Sequence, residues 1–268
     1  MGNAATVLGD NLTCFREHEN AAAVSSGTTS NTGRDLDDAV LAAVNQSINA
    51  NQTGLVNTVT LSFACQDLPN MDTFTRTDGM AVLYRQAGSG WAQIGMTEVI
   101  MDNLAPVWIK SFDVQYHFEQ RENYKVEVYD IDNFDRLQDF GSHDYIGSVQ
   151  FALHEVVTAR EQTLERLISN DARAEGKSGL LKVTAEEKTL KSSEEVFMKC
   201  SASFPSMTGM YFFLIHKQIS ATIWKPVYKS EIRQATGGRF LWNTVNLLTT
   251  DLSGDDVERE IRVDFLQS

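Results

Sequence analysis

Two stretches of this 268-residue chain concentrate carboxylates, Asp67–Asp78 (DLPNMDTFTRTD) and Asp130–Asp144 (DIDNFDRLQDFGSHD). The first holds Asp67, Asp72 and Asp78 with Arg76 as its one basic residue. The second holds Asp130, Asp132, Asp135, Asp139 and Asp144 with Arg136 alone. Gathering several carboxylates costs several kcal/mol of mutual repulsion unless a cation neutralises them or some take up protons. Calcium answers that need, because it accepts six to eight hard oxygen ligands, mono- or bidentate, from separate loops. The same composition also fits solvated loops that hold no metal, and composition alone leaves both readings open.

A second chemical signal stands at the start. Met1-Gly2-Asn3-Ala4-Ala5-Thr6 has the Met-Gly-x-x-x-Thr pattern of N-myristoylation, in which Gly2 becomes the N-terminus and its amine is acylated. Cys14 could accept a palmitoyl group as a second anchor, but at eight residues beyond the motif it reads better as an unmodified thiol. Enzyme chemistry finds little support. The five histidines (His18, His117, His143, His154 and His216) are scattered, no GxSxG or glycine-rich phosphate loop occurs, and Gly88-Ser89-Gly90 reads as a turn between strands. The expectation is a chain that is not an enzyme.

The overall charge narrows the partners. There are 23 Lys+Arg against 36 Asp+Glu, a net charge of −13. Residues 1–54 carry −4, residues 55–190 carry −9 and residues 191–268 balance at 0. Such a surface excludes nucleic acid as a partner and offers no polybasic patch to anionic lipid. Cys14, Cys65 and Cys200 are too far apart to suggest a zinc site or a disulfide framework, and the simplest setting is a reducing cytosol. No run of about 18 apolar residues marks a membrane span.

These residues need elements to position them. Residues 1–54 read as a flexible leader, with one short amphipathic helix over Asp35–Ile48, where Leu36, Ala39, Val40, Ala43 and Val44 share a face. Lacking Lys or Arg on its polar face, that helix is expected to lie on the protein and not on a membrane. From Val56 the period changes to two. Strands are expected at 56–65, 79–86, 91–100, 109–118, 123–130, 145–151, 163–168 and 179–187, with a short helix at Leu153–Arg160. Eight short strands predict an all-β antiparallel sandwich over residues 55–190, with both acidic stretches as inter-strand loops.

Residues 191–268 repeat the first half of this pattern. Glu195–Cys200 mirrors the first strand, Met210–Lys217 the second, and Glu260–Leu266 the fifth. Glu98 and Glu231 lie 133 residues apart, Trp108 and Trp242 134. The copy has no Asp between Cys200 and Tyr211 and stops short of a second acidic loop. It is expected to form an incomplete sandwich with an open edge that needs covering, by the first sandwich or by a protein partner.

The order of motifs resembles a known family. Met71-Asp72 through Asp78-Gly79, Thr97-Glu98-Val99-Ile100 with Asn103-Leu104-Ala105-Pro106-Val107-Trp108, and Val128-Tyr129-Asp130-Ile131-Asp132 ending in Asp144-Tyr145-Ile146-Gly147 look like the first C2 domain of the copines. The Met-Gly start with a low-complexity leader is similar to the plant bonzai-type members. The resemblance implies a C2-type sandwich at 55–190, a partial second C2 domain at 191–268, and calcium (Ca2+) ligands at Asp72, Asp78, Asp130, Asp132 and Asp144. The second loop is longer than the family's usual spacing, which leaves Asp135 and Asp139 as rivals to Asp144. Asp144 is preferred because it opens the next strand. Phe74, Phe134, Leu137 and Phe140 could insert among lipid headgroups or fold back onto the sandwich.

Copines continue into a von Willebrand factor A-type domain, and nothing in this sequence resembles it. The implied role is calcium-dependent attachment to anionic phospholipid at the cytosolic face of the plasma membrane, with a cytoplasmic form when calcium is low. The alternatives are a calcium-independent protein interaction module and a truncated, non-functional copine fragment.

Overall fold

The computed structural model describes residues 12–17 (as backbone), 56–71, 75–118, 120–174, 177–188, 194–203, 209–234, 238–254, 256 and 258–268. Gly2, Asp72, Phe74 and the expected helix at Asp35–Ile48 lie outside them.

After β1 (Leu12–Glu17) come the eight expected strands: β2 (Val56–Gln66), β3 (Gly79–Ala87), β4 (Gly90–Met96), β5 (Phe112–His117), β6 (Asn123–Asp130), β7 (Asp144–Ala152), β8 (Thr163–Leu167) and β9 (Leu180–Glu187). They form two antiparallel sheets, β5-β2-β9-β8 and β4-β3-β6-β7. Alternation explains the pairing. Val59, Leu61, Phe63 and Cys65 point inward from β2 while Thr60, Ser62 and Ala64 point out. They meet Leu83, Val126, Val128 and Ile146 from the other sheet in one core. Helix α1 (Leu153–Val157) follows β7, and Glu155 caps its start by accepting the Ala152 N–H at 2.7 Å.

Residues 97–111 are mostly loop and not strand ends, because their hydrogen bonds go to a brace. Glu98 accepts the N–H groups of Ile109 (2.5 Å) and Lys110 (3.1 Å), and the buried Trp108 indole donates to Gly79 O at 3.1 Å.

The second half contains β10 (Glu195–Ser203), β11 (Met210–Gln218), β12 (Trp224–Lys229), β13 (Arg233–Gln234), β14 (Arg239–Leu241), β15 (Val245–Leu248), helix α2 (Thr249–Leu252) and β16 (Ile261–Gln267). One sheet comprises β1, β10, β14 and β15. The other comprises β12, β11, β13 and β16, and a second core of Phe213, Ile215, Phe240 and Trp242 lies between them. The internal repeat extends to single hydrogen bonds. Ala81 N–H donates to Thr97 Oγ1 at 3.0 Å and Phe213 N–H to Ser230 Oγ at 2.9 Å; Trp108 donates its N–H to Phe63 O and Trp242 to Cys200 O, both at 3.3 Å; Glu231 accepts Asn243 N–H at 2.8 Å as Glu98 accepts Ile109.

Two features differ from the sequence expectation. The edge of β10 is not open. In the first sandwich β2 is flanked by β5 and β9; in the second β10 is flanked by β14 and β15 on one side and by β1 on the other. The leader therefore supplies a strand in the slot that the last strand holds in the first sandwich. Cys14 stands opposite Cys200 in this register, and Cys200 is disulfide-bonded. Cys65 alone among the described residues is a free, buried thiol. Separation in sequence gave no sign of this, since the pairing joins positions 186 residues apart.

Candidate functional site at the acidic end of the first sandwich

The acidic loops meet at one end of the first sandwich because the strands that carry them are hydrogen-bonded neighbours. β3 begins at Gly79, directly after Asp78, and Gly79 lies opposite Asp130, the last residue of β6. Asp130 in turn lies opposite Asp144, the first residue of β7. Asp78, Asp130 and Asp144 are thus brought to the ends of three adjacent strands by register alone.

Hydrogen bonds hold the arrangement. Asp130, 2% exposed, accepts the Asp78 N–H on Oδ1 at 2.6 Å, and Ile131 N–H donates to Asp78 O at 3.0 Å. Asp78 Oδ1 accepts the Asp102 N–H at 2.7 Å, and Asp102 accepts Arg76 N–H at 2.8 Å. Asp102, at a positive φ of 54°, thereby ties residues 97–111 to the first acidic loop. Sequence reasoning missed Asp102; its one signal was Asp-Asn ahead of Leu-Ala-Pro, a turn-forming run. Thr77 closes the loop from inside, donating to Pro69 O at 2.6 Å and accepting Met71 N–H at 3.3 Å.

Asp132 is exposed just beyond Asp130, and Asp144 is exposed at its strand start. Asn170 fixes the following turn of chain by donating to Tyr145 O (3.2 Å) and Ile146 O (2.8 Å). The rivals stand elsewhere in the loop. Asp139 pairs with Arg136 at 3.8 Å, and Asp135 lies in a 3-10 turn (Phe134–Arg136) capped by Asn133. The loop's one basic side chain is therefore directed at Asp139 and not at the strand-end carboxylates.

The long second loop does not simply bulge outward. Leu137 and Phe140 pack against a small cluster of Met80, Val82, Tyr129 and Ile131, and Phe140 stacks on Tyr129 with ring centroids 5.1 Å apart. Phe134 stays 47% exposed. His143 is buried beneath the loop, its Nε2 3.1 Å from Arg136 O.

Donor chemistry at this end suits a hard cation, since Asp78, Asp130, Asp132 and Asp144 offer only oxygen. Among the described residues, however, no group of three or more His, Cys, Asp and Glu side chains is close enough to hold a metal ion. Asp72 falls outside them. No helix among the described residues is long and apolar enough to cross a membrane.

Known proteins share this framework. A family model described as "C2 domain" matches residues 58–167. The chain is 27% identical over 231 residues to Protein BONZAI 1 of Arabidopsis thaliana, covering 79% of this chain and 40% of that protein. It is 27% identical over 223 residues to Copine-E of Dictyostelium discoideum, covering 77% of this chain and 36% of that protein. Two solved structures are similar. A C2 domain of plant Extended Synaptotagmin 1 has a TM-score of 0.39 and 18% identity, covering 51% of this chain and 97% of that one. The structure titled BON1-C2B has a TM-score of 0.35 and 22% identity, covering 50% and 93%. The chain spans no more than 40% of the length of these two curated relatives.

Proposed function

We propose that this chain is a copine-family protein carrying a C2 domain and a calcium-dependent phospholipid-binding adaptor of the cytosolic membrane face, a reading supported by the C2 match over residues 58–167 and by 27% identity to two curated relatives. The observation that carries this reading is the cross-strand pair Asp130 and Asp144, with Asp78 hydrogen-bonded to Asp130 at 2.6 Å. Asp72, Asp78, Asp130, Asp132 and Asp144 are the proposed ligands. Calcium held there would supply positive charge and coordination positions for lipid phosphate oxygens.

The chain's own residues set up that encounter. Asp78 and Asp130 are oriented by backbone N–H donors, so their geometry exists before any ion arrives. Phe134, 47% exposed in the second acidic loop, is proposed to enter a headgroup layer, with Phe74 alongside it. Leu137 and Phe140 instead brace the loop against Tyr129.

A myristoyl group on Gly2 would add a second, weak anchor, with an association constant of roughly 10⁴ M⁻¹. Two weak contacts on one chain make the second effectively intramolecular. Without calcium the acidic end repels anionic lipid and the acyl chain alone gives marginal attachment. The anionic inner face of the plasma membrane is therefore the proposed destination when calcium is high, and the cytoplasm the state when it is low.

The rival reading, a calcium-independent interaction module, is favoured by the lack of a three-ligand cluster among the described residues. Calorimetric titration separates the two. Calcium should release or absorb measurable heat with wild type and lose that signal with Asp130→Asn; the absence of any heat with wild type rejects the calcium reading.

A further inference from the structure

A second charged site lies where the two sandwiches meet, at the strand ends remote from the acidic loops. In the first sandwich, Arg85 on β3 stands opposite Tyr124, and Glu122, two residues before Tyr124, pairs with it at 2.7 Å. In the second, Lys217 on β11 stands opposite Ile261, and the residue two before Ile261 is Arg259. A pair that is neutral in the first copy has become two cations in the second. A third is added on β12, where Lys225 faces Lys217 at the position that Ala92 holds opposite Arg85.

The carboxylate that joins two of these cations comes from the first sandwich. Glu186 on β9 lies 2.6 Å from Lys217 Nζ through Oε2 and 2.6 Å from Arg259 Nη1 through Oε1. Lys217 and Lys225 are 5% and 8% exposed, and the Lys225 ammonium makes no ion pair among the described residues. Lys217 and Arg259 thus share one carboxylate in a largely buried place, with Lys225 beside Lys217, next to a cleft of about 550 Å³ that Lys217, Lys225, Arg259 and Glu186 line. Of the other acids on that wall, Asp113 is bound to Lys188 and Glu187 to Asn57, while Glu186, Asp251 and Asp113 act on Lys225 through the field without pairing with it. A buried charge without a partner is costly, and an anion in the cleft would relieve it.

We propose that this cleft binds a phosphate monoester, with Lys225 as its principal contact and Lys217 and Arg259 as supporting donors. A phosphate monoester carries close to two negative charges and three strong acceptor oxygens near neutral pH, which suits Lys225 beside the Lys217 and Arg259 cations. The volume exceeds what an inorganic ion fills and lies in the range of small-molecule sites. Burial, with the Lys217 ammonium beside it, brings Lys225 down to about 8, and a dianion would hold it charged. Both a soluble metabolite and a phosphorylated lipid headgroup carry this chemistry.

The test uses the whole chain in chelator, so that the calcium reading is not engaged. Inorganic phosphate is titrated calorimetrically into wild type, Lys225→Met and, as control, the exposed Lys177→Met. Vesicles of phosphatidylcholine with and without phosphatidylinositol 4-phosphate are sedimented in parallel. Binding that weakens about tenfold or more in Lys225→Met and is unchanged in Lys177→Met supports the site. Lys225-dependent retention on the phosphorylated vesicles then assigns the ester to lipid, and phosphate binding without retention assigns it to a soluble ligand. Phosphate should also raise the melting temperature of wild type and not of Lys225→Met, a readout that survives if the variant's own stability shifts. Absence of binding in both arms, or equal losses in the two variants, overturns the proposal.

Discussion

Asp130 and Asp144 stand directly opposite one another at the end of the β6–β7 pair, each followed or preceded by a loop and each drawn there by strand register. Like charges placed opposite each other on neighbouring strands destabilise a sheet by up to about 1 kcal/mol. Removing one of them should therefore stabilise the protein when no cation is present. Asp144→Asn is expected to melt slightly above wild type in chelator and to fall below it when calcium is added. A variant that melts below wild type in chelator contradicts the cross-strand repulsion.

The repeated brace around the buried tryptophans gives a second expectation. Glu98 accepts two backbone N–H groups, and Glu231 accepts Asn243 N–H while pairing with Arg233 at 3.0 Å. Hydrogen bonds to a charged acceptor contribute about 1.5–3 kcal/mol. Glu98→Ala and Glu231→Ala should each lower the free energy of chemical unfolding by an amount in that range. Near-wild-type midpoints for both would show that the brace is dispensable.

The charged junction between the sandwiches sets a pH dependence of the same sign in acid and in alkali, with stability rising as pH rises through each window. Burial raises the Glu186 carboxyl, but the Lys217 and Arg259 cations outweigh it and hold the carboxyl below its ordinary value of 4.5. The folded state therefore binds fewer protons than the unfolded state at this residue in acid. Its contribution is present above pH 4.5 and is lost as pH falls through the depressed value. Lys225 is lowered from 10.5 to about 8 by burial and by Lys217, so stability rises as pH climbs between those values. Glu186→Gln should flatten the acid limb of a denaturation series and lower neutral-pH stability by on the order of 2–3 kcal/mol. Lys225→Met should flatten the alkaline rise, and unchanged limbs in both variants would refute the coupling.

Cys65 points into the core of β2, and its burial raises the thiol far above its ordinary value. Thiolate is the reactive form, so Cys65 should resist alkylation in the native protein and react only on unfolding. Site-resolved mass spectrometry after iodoacetamide treatment checks this directly; rapid native labelling would place Cys65 elsewhere.

The strand from the leader yields a fifth expectation. β1 pairs along residues 197–202 of β10. Deleting residues 1–17 should strip hydrogen-exchange protection from that edge while β2 amides stay protected by β5 and β9. Protection on β10 equal to that of the full chain would show that β1 is not a working part of the sheet.

Much of this molecule was legible in the sequence. The eight strands from Val56 to Glu187 follow from period-two alternation in residues such as Val59, Leu61 and Phe63, and the repeat followed from the paired spacing of Glu98 with Glu231 and Trp108 with Trp242. The places of Asp78, Asp130 and Asp144 at the ends of adjacent strands follow from the strand boundaries. What alternation cannot carry is long-range pairing between distant segments, so β1 beside β10 was hidden. Local composition likewise says nothing of whether a loop aromatic turns in or out, and Phe140 on Tyr129 could be found only from packing. Glu186 looked like an ordinary exposed residue of a strand end until Lys217 and Arg259 were placed against it.

The most direct measurement of the central claim is vesicle sedimentation with phosphatidylcholine–phosphatidylserine vesicles, in calcium and in chelator, for wild type, Gly2→Ala and Asp130→Asn. The account predicts strong retention of wild type in calcium, weak retention in chelator, and loss of the calcium-dependent part in Asp130→Asn. Equal retention of wild type in calcium and chelator would contradict it.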